Sequence, residues 1–438
     1  MLRKICFVLL ISFVCAKHEI YEGFGVYEVS VENEDQRLTL QQLAEDMTLD
    51  VWSYAHTSRP GIILVPKLKR EEFQDRMFFT GIPYVIEVDN VKDLLDLEDI
   101  RMKKAAANKK SNNTLGLDFE TIHRYDVVSK FLDLAAAYPD VVTVVSGGRS
   151  IEGRDIKYVQ ISTTNFQDSS KPVVFIESLL HSREWATLPV TLYAIKRLVL
   201  DVTERDLVED IDWVILPIAN PDGYEFSHTS QRFWRKNRAR GFVEMDRCMG
   251  VDLNRNFDVN WGTASSNNVC TDTFHGNHAF SEPESRIVGN IMREHSDRLT
   301  MVADLHTFGS MILYGLGNGT LPANSLLIHL AGVQMAQAID AVKWPQHRDY
   351  IVGNVMAVLY TASGTAGDYG QISALPFGMS YTFELPAWRM NPGFQGFFIE
   401  PEFIEQVGFE TWEGLKVGAR FALNQWRQHV RFADKKTV

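Results

Sequence analysis

The chain has 438 residues, more than one domain usually holds, and 45% of them are apolar and 23% charged. That balance excludes a disordered chain. A net charge of −12 excludes a surface built to bind nucleic-acid phosphates, while leaving an acidic enzyme that acts on peptides fully compatible.

The N-terminus reads as a processing signal. Arg3 and Lys4 precede an apolar run from Ile5 to Val14 broken only by Ser12, and Val14-Cys15-Ala16 supplies small residues for cleavage. This is the pattern of a secretory leader over residues 1–16, and the run is too short to span about 30 Å of hydrocarbon. A short buried helix is the alternative reading. No later stretch is apolar and long enough to cross a bilayer, so an extracellular, membrane-free protein is expected. Cys6 and Cys15 fall in the leader, which leaves Cys248 and Cys270. In an exported chain these most simply form one disulfide, the alternative being two free buried thiols. Asn112-Asn113-Thr114 and Asn318-Gly319-Thr320 are glycosylation sequons in such a chain.

Residues 17 to about 100 form a first unit. Gly25–Val31 alternates like a half-buried strand, and Arg37–Met47 carries leucines at helical spacing. Asp50–Tyr54 and Gly61–Val65 read as strands around the turn Arg59-Pro60-Gly61. Lys69–Phe78 reads as helix and Pro83–Val88 as strand, giving the split βαβ, ferredoxin-like order. Acidic residues then give way to Arg101, Lys103, Lys104, Lys109 and Lys110, so 101–110 is a basic segment open to a trypsin-like protease. Ala105–Ala107 favour a helix there, and a connecting helix that carries the cleavage sites satisfies both readings.

The remainder, 111–438, is the large unit. His123–Ala137 is amphipathic, Val141–Val145, Lys157–Ile161 and Val173–Ile176 are β-rich, Trp185–Leu200 is a long helix, and Trp213–Leu216 is a strand followed by the turn Asn220-Pro221-Asp222-Gly223. Alternating strands and helices imply an α/β sheet covered on both faces, with chemistry at strand ends.

Candidate site residues cluster in this unit. His181 and Glu184 stand directly after the apolar strand near Leu180, and His306 follows the apolar segment Thr300–Ala303. Two imidazoles and a carboxylate form a catalytic zinc set that leaves one position for water. Each signal alone is weak, since a lone histidine is more often structural. Glu384 is a single carboxylate in the apolar strand Tyr381–Leu385.

Together the segments HSREW, WRKNR, VDLNRNF, DLHTFG, LYTASGTAGD and TFEL, in this order and approximate spacing, resemble the pancreatic carboxypeptidase A and B family. The likeness runs from about Leu117 to the end and more faintly from Gly25. It implies a mixed, twisted β-sheet covered by helices on both faces, preceded by a ferredoxin-like propeptide that covers the active site until cleaved. It implies one Zn2+ held by His181, Glu184 and His306, with Glu384 as the general base toward the attacking water. Arg235 would stabilise the oxyanion, Asn254, Arg255 and Tyr360 would hold the substrate's C-terminal carboxylate, and Arg183 would contact the peptide upstream. Asp252 would support the first histidine, and Cys248 and Cys270 match the family's disulfide partners.

The resemblance also bears on specificity. B-type members carry Asp, and A-type members an aliphatic residue, at the position of Gly367. With Gly317, Val355, Ala362 and Thr382 also small or apolar, an A-like preference for aliphatic or aromatic C-terminal residues is expected, worth about 1.5–3 kcal/mol for a fully buried side chain. Asp368 matches an acid that both types share. The segment between Tyr360 and Glu384 is longer than the family's common spacing, and Gln371–Pro376 is placed to reshape the pocket. The alternatives are a B-like enzyme that releases Lys or Arg and an inactive carboxypeptidase-like binding protein; the second should have lost Glu384 or a ligand, and none is lost. A monomer acting on peptide and protein C-termini is expected.

Overall fold

The computed structural model describes residues 17–107, 117–133, 137–374, 378–387 and 396–434. The leader 1–16, Lys109, Lys110, the Asn112 sequon and part of the Gln371–Pro376 loop lie outside them.

The small unit is a four-stranded antiparallel sheet of β1 (Gly25–Val29), β2 (Asp50–Ser53), β3 (Gly61–Val65) and β4 (Tyr84–Val88), in the order β2-β3-β1-β4. Helices Glu34–Asp46 and Arg70–Thr80 cover one face through Leu40, Leu43, Phe73 and Met77. Asn33 caps the first, its side chain accepting from Gln36 N. Gly81, at φ 67, ends the second in the left-handed conformation. The basic segment continues a helix, Val91–Ala107, on which Lys103 and Lys104 are exposed.

Among its described residues the large unit holds an eight-stranded sheet: β5 (Val142–Arg149), β6 (Asp155–Ile161), β7 (Val173–Glu177), β8 (Asp212–Leu216), β9 (Leu299–Thr307), β10 (Met311–Tyr314), β11 (Ile351–Asn354) and β12 (Met379–Leu385). Their order is β11-β10-β12-β9-β7-β8-β6-β5, and the four central strands β12, β9, β7 and β8 are mutually parallel. Every residue of β7 and β8 is buried, because helices pack on both faces. Along β7 the side chains alternate: Val174 and Ile176 join the core under helices Thr187–Ile195, Ser325–Asp340 and Pro401–Asp434, while Val173 and Phe175 join the core under Pro283–Glu294.

One expected turn is a helix start. Asn220 Oδ1 accepts from Gly223 N at 3.0 Å, Pro221 occupies the first turn, and a helix runs to Thr229. Asn, Pro and Asp serve a helix N-terminus as well as a turn, since both need a side-chain acceptor and a fixed φ near −65°. The two units share a core in which Tyr21, Trp52, Val91 and Leu95 pack with Phe233, Phe397 and Phe398.

Candidate metal centre and substrate cleft

The site stands at the C-terminal ends of the central parallel strands. β7 ends at Glu177 and delivers His181 and Glu184 on the segment that enters helix Thr187–Ile195. His306 is near the end of β9, and Glu384 faces it across the β9–β12 pair. His181 Nδ1 is 2.9 Å from Glu184 Oε1, His306 Nδ1 is 2.9 Å from Glu184 Oε2, and the two Nδ1 atoms are 3.0 Å apart. All three residues are buried, and among the described residues they form the one group of three possible ligands.

The electrostatics fit a cation. Neutral imidazoles bring no charge to offset the carboxylate between them, so the cluster calls for positive charge, as a bound metal ion or as a proton on a ring. Burial alone would lower the His306 pKa, but Asp304 and Glu184 outweigh it and hold the ring well above its ordinary value. Burial pushes Glu184 up, and the two histidines bring it below its ordinary range. The donor set of two nitrogens and one oxygen suits zinc.

Behind the first histidine, Asp252 Oδ1 is 2.9 Å from His181 Nε2, and its other oxygen accepts from Arg235 Nη2 at 2.9 Å. Burial raises Asp252, but Arg235, His181 and Arg255 together hold it well below the usual carboxylate range. Arg235 Nη1 lies 4.0 Å from Glu184 Oε1, on the edge of the cluster. Glu384 is half-buried, and desolvation, opposed first by His306, pushes its pKa up to about 8.

Beside the centre, Arg255 Nη2 donates to the Tyr360 hydroxyl at 3.2 Å. Asn254 Oδ1 accepts from Ala366 N at 2.8 Å, and its Nδ2 is 3.0 Å from His306 Nε2. Gly364, at φ 66, lets this loop close on the Arg255 backbone, where a Cβ would sit 2.4 Å from the Arg255 carbonyl oxygen. Cys248 and Cys270 are joined in a disulfide and pack with Ala239, Val251, Val269 and Phe274.

The small unit covers this cleft with residues that the sequence reading did not single out. Asp50 takes two hydrogen bonds from Arg183 Nη1, at 2.8 and 2.9 Å. The Tyr54 ring packs on Tyr360 with centroids 4.9 Å apart. The Arg59 guanidinium reaches Met311, at 3.7 Å from its sulfur, and feels the charge of Glu384. On the connecting helix, buried Glu98 binds Arg232 at 2.9 Å and accepts from Ile399 N at 2.7 Å. Apart from the acidic character of Asp50 and Glu98, no local sequence signal marks these contacts, because each joins residues more than a hundred positions apart.

Residues 128–414 match the zinc carboxypeptidase family, and residues 27–98 match the carboxypeptidase activation peptide. The chain belongs to the zinc carboxypeptidase family. It is 41% identical over 426 residues to a protein named carboxypeptidase B from Helicoverpa zea, covering 96% of this chain and 98% of that one. It is 29% identical to carboxypeptidase A1 of Bos taurus, over 93% of this chain and 95% of that one. The crystal structure of the carboxypeptidase A from Helicoverpa armigera superposes with a TM-score of 0.90 at 58% identity, covering 93% of this chain and 99% of that one. This carboxypeptidase is a metalloenzyme made as a zymogen, with His181, Glu184 and His306 as its zinc ligands. Its small unit is the activation peptide, which contacts the large unit through Asp50 on Arg183, Tyr54 on Tyr360 and Arg59 on Met311. No helix among the described residues is long and apolar enough to cross a membrane.

Proposed function

We propose that the activated carboxypeptidase removes single aliphatic or aromatic residues from the C-termini of peptides and proteins. The observation that carries this reading is the disposition of carboxylates around the specificity pocket. Gly367 presents only hydrogen toward Thr382, whose Oγ1 would lie 2.8 Å from a Cβ at that position, and Gly317 packs on Ala362. The nearest acid, Asp368, is turned inward: it accepts from Gly317 N at 3.0 and 3.1 Å and from the Thr365 hydroxyl at 2.8 Å. Burial raises its pKa to about 6. Among the described residues this leaves no carboxylate offered to a substrate Lys or Arg, although the name of one relative is carboxypeptidase B and that of the similar structure is carboxypeptidase A.

The proposed roles follow the cleft's own chemistry. Arg255 holds the substrate's terminal carboxylate with Asn254 and Tyr360, since a guanidinium fork matches a carboxylate in a way Lys cannot. A substrate without that group leaves a buried guanidinium unpaired, which selects for chain ends. Bound zinc would lower the pKa of water toward about 7 and polarise the scissile carbonyl. Glu384 takes the proton of the attacking water on its carboxylate and returns it to the leaving amine. Arg235, fixed by Asp252, presents positive charge where the carbonyl oxygen becomes negative, a contribution of about 3 kcal/mol. Arg183, freed of Asp50, contacts the peptide upstream.

The organisation proposed with this is a leader over 1–16, an activation segment over 17–110 cut in the basic stretch 101–110 by a trypsin-like protease, and a secreted, monomeric catalytic unit over 111–438. The test is hydrolysis of two blocked dipeptides after trypsin activation, one ending in Phe and one in Arg. Faster release of Phe is expected; faster release of Arg would assign the enzyme B-like specificity.

A further inference from the structure

A second buried carboxylate approaches the metal centre from β9 itself. Asp304 precedes His306 by two residues in the strand, so both side chains leave the same face. His306 Nε2 is 2.7 Å from Asp304 Oδ1, a short contact oblique to the ring's N–H axis. With Nδ1 turned toward His181 and Glu184, the proton of the neutral ring belongs on Nε2. Two groups stand within reach of it. Asn254 Nδ2, at 3.0 Å, is an amide nitrogen and cannot accept, because the Asn254 oxygen is committed to Ala366 N. Asp304 is the acceptor that remains.

Nothing else in its surroundings accounts for this acid. Asp304 is fully buried, and among the described residues no other donor reaches either of its oxygens. Its cross-strand neighbour on β7 is Glu177, also fully buried and also without a donor. Burial, and then the charge of Asp304, hold Glu177 well above the usual carboxylate range. A carboxylate this poorly hydrogen-bonded adds little to folding, and its compensation must come from the ring it faces and the positive charge beyond that ring.

We propose that Asp304 is a positioning residue for the second zinc histidine: it accepts the His306 Nε2 proton, fixes the ring with Nδ1 toward the metal, and pairs with Asp252 behind His181 as one of two carboxylate supports of the centre. Each zinc histidine then has its own acid, one from a loop and one from the strand that carries the ligand. Such supports raise ligand basicity and hold the ring's orientation.

Zinc affinity of the purified full-length chain, measured by competition with a chromophoric chelator, tests this directly. The wild-type chain, binding one zinc, is the reference. Asp304→Asn is expected to weaken zinc about 10-fold, and Asp304→Ala by up to about 100-fold. The visible spectrum of the cobalt-substituted Asp304→Asn protein should shift, because the ring has lost its charged support. Glu177→Gln, which matches a neutral acid in shape, should bind zinc within about 3-fold of wild type. If the alanine variant does not fold, the asparagine variant decides alone. Zinc affinity and cobalt spectrum unchanged in Asp304→Asn overturn the proposal. So does a lower melting temperature of the metal-free protein with unchanged zinc affinity, since that is what a merely structural acid would give.

Discussion

Single side chains divide the chemistry of the cleft. Among the described residues, Glu384 is the one carboxylate beside the zinc ligands that is half-buried and carries no side-chain hydrogen bond, while Asp252, Glu184 and Asp304 are each engaged with a histidine. Glu384→Gln keeps the shape and removes the proposed base; kcat should fall by about 10²–10⁴-fold with zinc content unchanged, checked by metal analysis beside kinetics. At the pocket, Gly367→Asp would bring a carboxylate beside Thr382. A charge-assisted hydrogen bond in such a site is worth about 1.5–3 kcal/mol, so the ratio of Arg to Phe release should rise by about 10–100-fold, read as a ratio of kcat/KM values. The ligand residues were legible in the sequence because each follows an apolar strand and belongs to a recognisable segment. Asp304 was legible in principle as well, since Asp-x-His inside a strand puts both side chains on one face. Asp50, Tyr54 and Arg59 were not, because their meaning depends on a cleft built more than a hundred residues later.

At the scale of elements, the interface between β2 and the cleft carries a titratable contact. Asp50 faces Arg183, Asp272 and the indole N–H of Trp52, which donates at 3.0 Å. Desolvation, offset by Arg183 and reinforced by Asp272, pushes its pKa up to about 7 from an ordinary 3.8. A docked acid with a raised pKa takes up a proton as pH falls from about 7 toward 4, so docking tightens across that window and weakens as pH rises through it. After the basic segment is cut, the activation peptide should therefore leave faster at pH 8 than at pH 5, measured as the rate at which activity appears after the cut. Asp50→Asn should flatten that dependence. The disulfide is the other element-scale constraint. It closes a loop between positions 22 residues apart, and replacing both cysteines by alanine should cost about 3 kcal/mol of stability, checked by denaturant titration of the full chain. The strands and helices themselves followed the periodicity of the sequence closely. The exception, Asn220-Pro221-Asp222-Gly223, shows that turn residues also start helices, and only the chain's continuation across the sheet separates the two.

Across the whole molecule, the acidic chain places the one convergent metal set among its described residues at the ends of the parallel strands of a doubly covered mixed sheet and closes it with a separate small sheet. The ferredoxin-like order of that small unit and the α/β class of the large one could be read from alternation and spacing. The way the two dock could not, because the shared core of Tyr21, Trp52, Phe233 and Phe397 draws on residues scattered from one end of the chain to the other. Activation in this arrangement should need a cut and then departure, since Glu98 on Arg232, Asp50 on Arg183 and Tyr54 on Tyr360 join the two units by contacts that a cut in the basic segment does not touch. The most direct test is a time course of product release from a peptide with a free C-terminus and from its C-terminally amidated twin, using intact and trypsin-cut protein, with and without a zinc chelator. The account predicts release of one terminal residue at a time, from the free acid alone, only after the cut, abolished by the chelator and restored by zinc. Release from the amidated peptide, internal cleavage, or activity indifferent to the chelator would contradict it.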